Sequence, residues 1–112
     1  MPHWGIFAAL EFIETSGFSA LRERYFTDLD FNLMQLYLVA DPQAGDVIPG
    51  SGGVRKLRWG ARGQGKRGGL RVIYYWVTRS DQILLITVYR KGEMANLSRA
   101  ALRRMRELVK GL

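Results

Sequence analysis

The clearest chemical signal in this sequence is a set of basic side chains on neighbouring apolar runs. The run Val54-Arg55-Lys56-Leu57-Arg58-Trp59 has strand character. Strand alternation puts Lys56 and Arg58 on one face and Arg55, Leu57 and Trp59 on the other. Arg71 opens the next run, Leu70 to Thr78, close to where the two are joined. Two cations at adjacent same-face positions repel each other unless an anion lies between them. A phosphate there would turn the cluster into a clamp through charge-assisted hydrogen bonds. Arg62, Lys66 and Arg67 in the connecting loop crowd the same end, and with Arg55 they form an outer set of backbone-binding candidates. Tyr89 and Lys91, closing a third run, add a phenol and an ammonium. Alternation is expected to put Tyr89 on the face of Ile83, Leu85 and Thr87. The plainer reading of these residues is a solvated basic strand with Tyr89 capping the core.

Other chemistries are poorly supplied. Gly63, Gly65 and Gly68 fit G-x-G-x-x-G, and Gly60 with Gly65-Lys66 nearly fits a phosphate-cradling loop. Both motifs work by aiming a helix N-terminus at phosphate. Here the loop runs into the aromatic, β-branched stretch Leu70 to Trp76, and Arg67 stands where the second motif needs Ser or Thr. Both are rejected in favour of a flexible basic loop. His3 is the single histidine, and it lies in a terminus expected to be loose. No acidic or histidine cluster has metal-ligand spacing, so neither metal nor cofactor is expected. No Ser or Thr has a nucleophile-plus-base arrangement.

The elements that must position these groups follow from periodicity. Ala9 to Glu14 reads as a strand ended by Gly17, with Phe12 and Glu14 on one side. Phe18 to Tyr25 reads as a short helix. Thr27 or Asp28 caps a second one that carries Leu29, Leu33, Leu36, Tyr37 and Ala40 as its expected core face and stops before Pro42. Gln43 to Gly53 is rich in turn residues. Three strands follow, Val54–Trp59, Leu70–Thr78 and Ile83–Tyr89, whose short connections imply an antiparallel meander. A last helix spans about Leu97 to Val109, capped by Asn96 or Ser98, with Arg103, Arg104, Arg106 and Lys110 in its last turns. The expectation is one α+β domain over residues 1–112. It has an antiparallel four-stranded sheet in the order β-α-α-β-β-β-α, with helices on one face and the other free for chemistry.

Composition agrees with a folded, polyanion-seeking domain. The chain has 112 residues, 47% of them hydrophobic, and 17 Lys and Arg against 10 acidic residues give a formal charge of +7. Such a balance favours RNA, DNA, an anionic membrane or an acidic protein. There is no cysteine, which excludes disulfides and permits a reducing compartment. Glu11 and Glu14 interrupt the apolar amino terminus, which lacks a basic leader, and no apolar run approaches the ~20 residues that span a bilayer. A cytoplasmic protein without membrane contact is expected.

Two segments carry a resemblance. Gly45-Asp46-Val47-Ile48-Pro49-Gly50-Ser51-Gly52-Gly53-Val54-Arg55-Lys56-Leu57-Arg58-Trp59 and Gly65-Lys66-Arg67-Gly68-Gly69-Leu70-Arg71-Val72-Ile73-Tyr74-Tyr75-Trp76 resemble signature segments of the RelE/HigB-like toxins of type II toxin–antitoxin modules. Glu11 to Thr15 and Asp41 to Gly45 agree in order and spacing. The resemblance implies a small endoribonuclease that enters the ribosomal A site and cuts messenger RNA without metal. It implies a cognate antitoxin, often of helix-turn-helix type, through which alone the protein would meet operator DNA. Lys56, Arg58 and Arg71 match the family's basic positions, and Lys91 lies near the one after the last strand. The carboxy-terminal segment, Met94 to Ser98, lacks the Tyr or His that family members use there, which leaves Tyr89 as the nearest proton-transfer candidate. A lysine among cations, or Tyr89 with its pKa lowered by them, could move the proton. Relatives of the ParE type share the fold and inhibit DNA gyrase by binding; a non-catalytic RNA-binding module is a third reading.

Overall fold

The computed structural model describes residues 10–60, 69–93 and 97–112. Its elements run β1 (Glu11–Glu14), α1 (Ser16–Tyr25), α2 (Asp28–Ala40), β2 (Asp46–Val47), β3 (Arg55–Trp59), β4 (Leu70–Val77), β5 (Gln82–Arg90) and α3 (Arg99–Val109). The class is α+β. Each of the three α-helices starts on a hydroxyl that satisfies an orphan backbone N–H. Thr15 Oγ1 accepts from Phe18 N–H, Thr27 Oγ1 from Asp30 N–H and Ser98 Oγ from Ala101 N–H, each at 3.1 Å. Thr15 starts α1 earlier than expected, so Gly17 lies inside the helix. Asn96, the other cap expected for α3, lies outside the described residues.

The sheet is five-stranded and mixed, in the order β1-β5-β4-β3-β2. The antiparallel meander β3-β4-β5 is as expected. The four-stranded, all-antiparallel expectation is corrected at both edges. β1 pairs in parallel with β5, from Glu11 opposite Gln82 to Glu14 opposite Leu85. The α1–α2 crossover carries the chain away, and a returning strand can then lie parallel to the first. At the other edge β2, inside the expected loop, pairs with β3. Two residues are too short to show an alternation pattern.

Both sheet faces are buried over much of β4. On one side Phe18, Phe31, Met34 and Leu38 pack on Leu57, Val72, Tyr74 and Leu85. On the other, Met105 and Val109 of α3 pack on Val54, Ile73 and Tyr89. The face expected to be free is therefore partly roofed by α3. This double burial is why β4 reads as a continuous apolar run. α2 is turned differently from expectation. Phe31, Met34 and Leu38 face the core, and Leu29, Leu33, Leu36 and Tyr37 face solvent. The helix is apolar almost all round, so periodicity allowed either face. The choice fell to Phe31, which joins Phe18 and Phe26 at centroid distances of 6.0 and 5.5 Å.

A bulge in β5 decides where Tyr89 points. Ile73 lies opposite Thr87, but Tyr74 lies opposite Leu85, so Ile86 is an extra residue. An extra residue resets the alternation. Tyr89 therefore lies on the α3 face with Ile73, not on the face of Ile83 and Leu85 as expected. The Ile86 carbonyl, out of register, accepts from Thr15 Oγ1 at 2.7 Å. One hydroxyl thus starts α1 and satisfies the bulge. Thr15→Ala is expected to cost about 2–3 kcal/mol, from the lost cap and an unpaired carbonyl together. Urea denaturation reads this directly, and a loss below about 0.5 kcal/mol would show that water replaces both bonds.

Candidate nucleic-acid interface

The strand register gathers the basic residues. Arg58 lies directly opposite Arg71, and Arg71 directly opposite Tyr89, so the three form a row across β3, β4 and β5. Lys56 sits two residues along β3 on the same face, opposite Ile73. Directly opposed residues have Cβ atoms about 4.5–5.5 Å apart, and like charges in such pairs destabilise a sheet. Arg71 is only 9% exposed. Its Nη1 donates to the Leu70 carbonyl at 3.3 Å, a long bond. Among the described residues the one ion pair is Arg22 with Glu14, at 2.9 Å, and no carboxylate reaches Arg71. A nearly buried guanidinium without a counter-ion is costly, and a bound anion would offset that cost.

A cleft of about 270 Å³ opens beside β3, lined by Tyr37, Ala44, Asp46, Lys56, Leu57 and Arg58. Arg71 and Tyr89 do not line it; they lie one and two strands further in. Lys56 and Arg58 thus reach an open cleft, and Arg71 and Tyr89 continue the same sheet face inward as nearly buried residues. Asp46 was not singled out as a site residue from the sequence. It pairs across from Lys56 and is the one carboxylate among the described residues that line the cleft. Only the β2–β3 pairing reveals it.

Arg55 is occupied elsewhere. It pairs opposite Tyr74, and its Nη1 donates to the Gly45 carbonyl at 2.8 Å and the Gln43 carbonyl at 3.3 Å. The Tyr74 hydroxyl donates to the Pro42 carbonyl at 2.7 Å and accepts from Gly45 N–H at 2.9 Å. These bonds tie the turn that delivers Asp46 to β3. A Cβ on Gly45 would lie 2.8 Å from the Tyr74 ring, so only glycine fits.

Burial pushes the Tyr89 phenol above its ordinary pKa, and the opposing pull of Arg71 is the smaller effect. The expectation of a phenol lowered by its cationic neighbours is corrected: Tyr89 keeps its proton at neutral pH and can donate it. Lys91 is exposed in the turn after β5, where its N–H donates to the Gly69 carbonyl at 3.3 Å. That bond sets Lys91 at the Arg71 end of the sheet. The turn is fixed by Glu93, whose Oε1 accepts from the Tyr25 hydroxyl at 2.8 Å and from Arg90 N–H at 2.6 Å. The Tyr25 bond first, and the Arg90 amide second, hold the Glu93 carboxyl below its ordinary pKa. A lowered carboxyl stabilises the fold above its unfolded-state value, about 4.3, and loses that contribution as pH falls through the folded value. Glu93→Gln is therefore expected to flatten the fall in stability between about pH 5 and pH 3, read by urea denaturation at each pH.

Arg62, Lys66 and Arg67 lie outside the described residues. α3 adds further cations, of which Arg103 and Arg106 are among those expected to suit the helix dipole, while Arg99 is not. Arg99, Arg103 and Arg106 line a second cleft of about 260 Å³ with Gly50 and Leu102. Arg99 occupies the helix's first turn, where no acidic residue accompanies it and the dipole disfavours a cation. No helix among the described residues is long and apolar enough to cross a membrane. No protein-family model matches the chain.

Proposed function

We propose that this protein is a metal-independent endoribonuclease of the RelE/HigB toxin type, cutting messenger RNA on the ribosome in the cytoplasm and silenced by a cognate antitoxin. The observation that carries the reading is the opposed pair Arg58–Arg71, in which Arg71 is a nearly buried residue with no counter-ion among the described residues. In such a reaction the RNA's own 2′-hydroxyl attacks the adjacent phosphorus and the bond to the 5′-oxygen breaks. The products are a 2′,3′-cyclic phosphate and a 5′-hydroxyl. Arg58 and Lys56 hold the phosphate oxygens, and Arg71 adds positive charge where the pentacoordinate phosphorus gathers negative charge. Tyr89, protonated, is suited to give the leaving oxygen its proton. Asp46 sets a carboxylate opposite Lys56 at the cleft, three strands from Tyr89 and too far off to share that phosphate, so the proton of the 2′-hydroxyl passes to solvent water. Ribosome-imposed alignment can supply about 7–11 kcal/mol of the barrier, which suits a site with few acid–base groups.

The test is primer extension on transcripts after induction of the wild type and of the Lys56→Ala/Arg71→Ala double variant. Cuts at defined positions are expected with the first and not the second. Double-strand DNA breaks instead would mean a gyrase inhibitor of the ParE type, and neither outcome would leave an RNA-binding module.

A further inference from the structure

The outer face of α2 is the most conspicuous apolar surface among the described residues. Leu29, Leu33 and Leu36 are 55%, 45% and 64% exposed, at the i, i+4 and i+7 spacing of one helical stripe, with Tyr37 exposed beside them. Single exposed leucines need no explanation, but a contiguous stripe marks a contact surface. Its spacing is that of a helix receiving another helix.

Charge identifies the partner. From Tyr25 to Val54 the chain has no Lys or Arg and four aspartates, Asp28, Asp30, Asp41 and Asp46. The remaining seventeen cations therefore face only six carboxylates elsewhere. Asp28 opens the stripe, Asp41 follows its end, and Asp46 lies on neighbouring β2; all three are exposed. The stripe has aspartates at its two ends and on neighbouring β2, and at its Tyr37 end it adjoins the cleft of Lys56 and Arg58. We infer that the outer face of α2 docks an amphipathic helix of a partner protein whose apolar stripe is flanked by Lys and Arg. A second copy of this chain meets the surface poorly, because α2 against α2 sets aspartates against aspartates in either orientation. The stripe ends beside Tyr37, which lines the Lys56–Arg58 cleft. A helix docked there lies against the mouth of the site. That consequence rests on the ribonuclease reading; the docking itself does not.

The test uses two synthetic three-heptad helical peptides with Leu at the a and d positions. One carries Lys at the flanking positions and the other Glu. Each is titrated by fluorescence anisotropy against the full chain, a Leu33→Asp/Leu36→Asp variant and a milder Leu33→Ser/Leu36→Ser variant. Both variants change exposed positions, and circular dichroism checks their folding. The Lys peptide is expected to bind at least ~10-fold tighter than the Glu peptide, and both variants to weaken it by ~10-fold or more. Bulk charge predicts the reverse order, so tighter binding of the Glu peptide overturns the proposal. So does Lys-peptide binding that neither variant weakens. A wild-type dimer in sedimentation equilibrium that the variants dissociate would assign the stripe to a second copy instead. Arg71→Met, at a nearly buried position outside the cleft lining, is expected to bind the Lys peptide like the wild type. Loss of cleavage and loss of docking are thereby read separately.

Discussion

Replacing Arg71 with Met is expected to lower messenger-RNA cleavage by about 10²–10³-fold while making the protein more stable. The two effects come from the same placement. Arg71 is nearly buried and opposite Arg58, and among the described residues it has one long hydrogen bond and no carboxylate within reach. In the free protein the residue has little contact with water, and Arg58 opposite repels its charge. Methionine fills a similar volume and removes both penalties, for a gain of about 1–3 kcal/mol in urea denaturation. On a reacting phosphate the same charge is an asset, because a low-dielectric setting strengthens its attraction for the oxygens that gather negative charge. The paired signs matter. A residue with a purely structural role would lose stability on substitution, and one in a solvated strand face would change neither quantity. A stable Arg71→Met variant that cleaves at the wild-type rate would sink the clamp.

Tyr89→Phe is expected to lower single-turnover cleavage by about 10²-fold or more with little change in stability, since the ring stays packed against Met105 and Val109. The pH profile separates the possible roles. Burial raises the phenol pKa, so the proton is present throughout the neutral range. A donor of this kind gives a rate insensitive to its own titration until pH exceeds the ordinary phenol value of about 10. Tyr89 acting as a base would instead give a rate climbing through the alkaline range, and the Phe variant would abolish that climb. Wild-type cleavage by Tyr89→Phe would move the donor elsewhere, with Lys91, at the same end of the sheet, the next group to replace.

Much of this molecule is legible from local pattern. Alternation in Arg55 to Trp59 separates Lys56 and Arg58 from Leu57, and the structure keeps that division. Short connections give the meander. Thr27 and Ser98 cap the helices as their positions suggest, because capping is satisfied within four residues. Other features are invisible locally. The parallel pairing of β1 with β5 joins segments about 70 residues apart, and nothing in Glu11 to Glu14 names its partner. α2 could have turned either apolar face inward, and packing around Phe31 chose.

The sequence by itself determined the elements, the basic face of β3 and the excess of positive charge, because each depends on residue types a few positions apart. Only the tertiary structure decided what those cations face. The β3–β4 register set Arg58 against Arg71. The bulge at Ile86, satisfied by Thr15, brought Tyr89 into their row and beneath α3, where burial fixes its proton. The tied turn before β2 brought Asp46 to Lys56. Each of these depends on backbone groups finding partners far along the chain. The charges were written in the sequence, and their burial, pairing and proton affinities follow from where the fold set them.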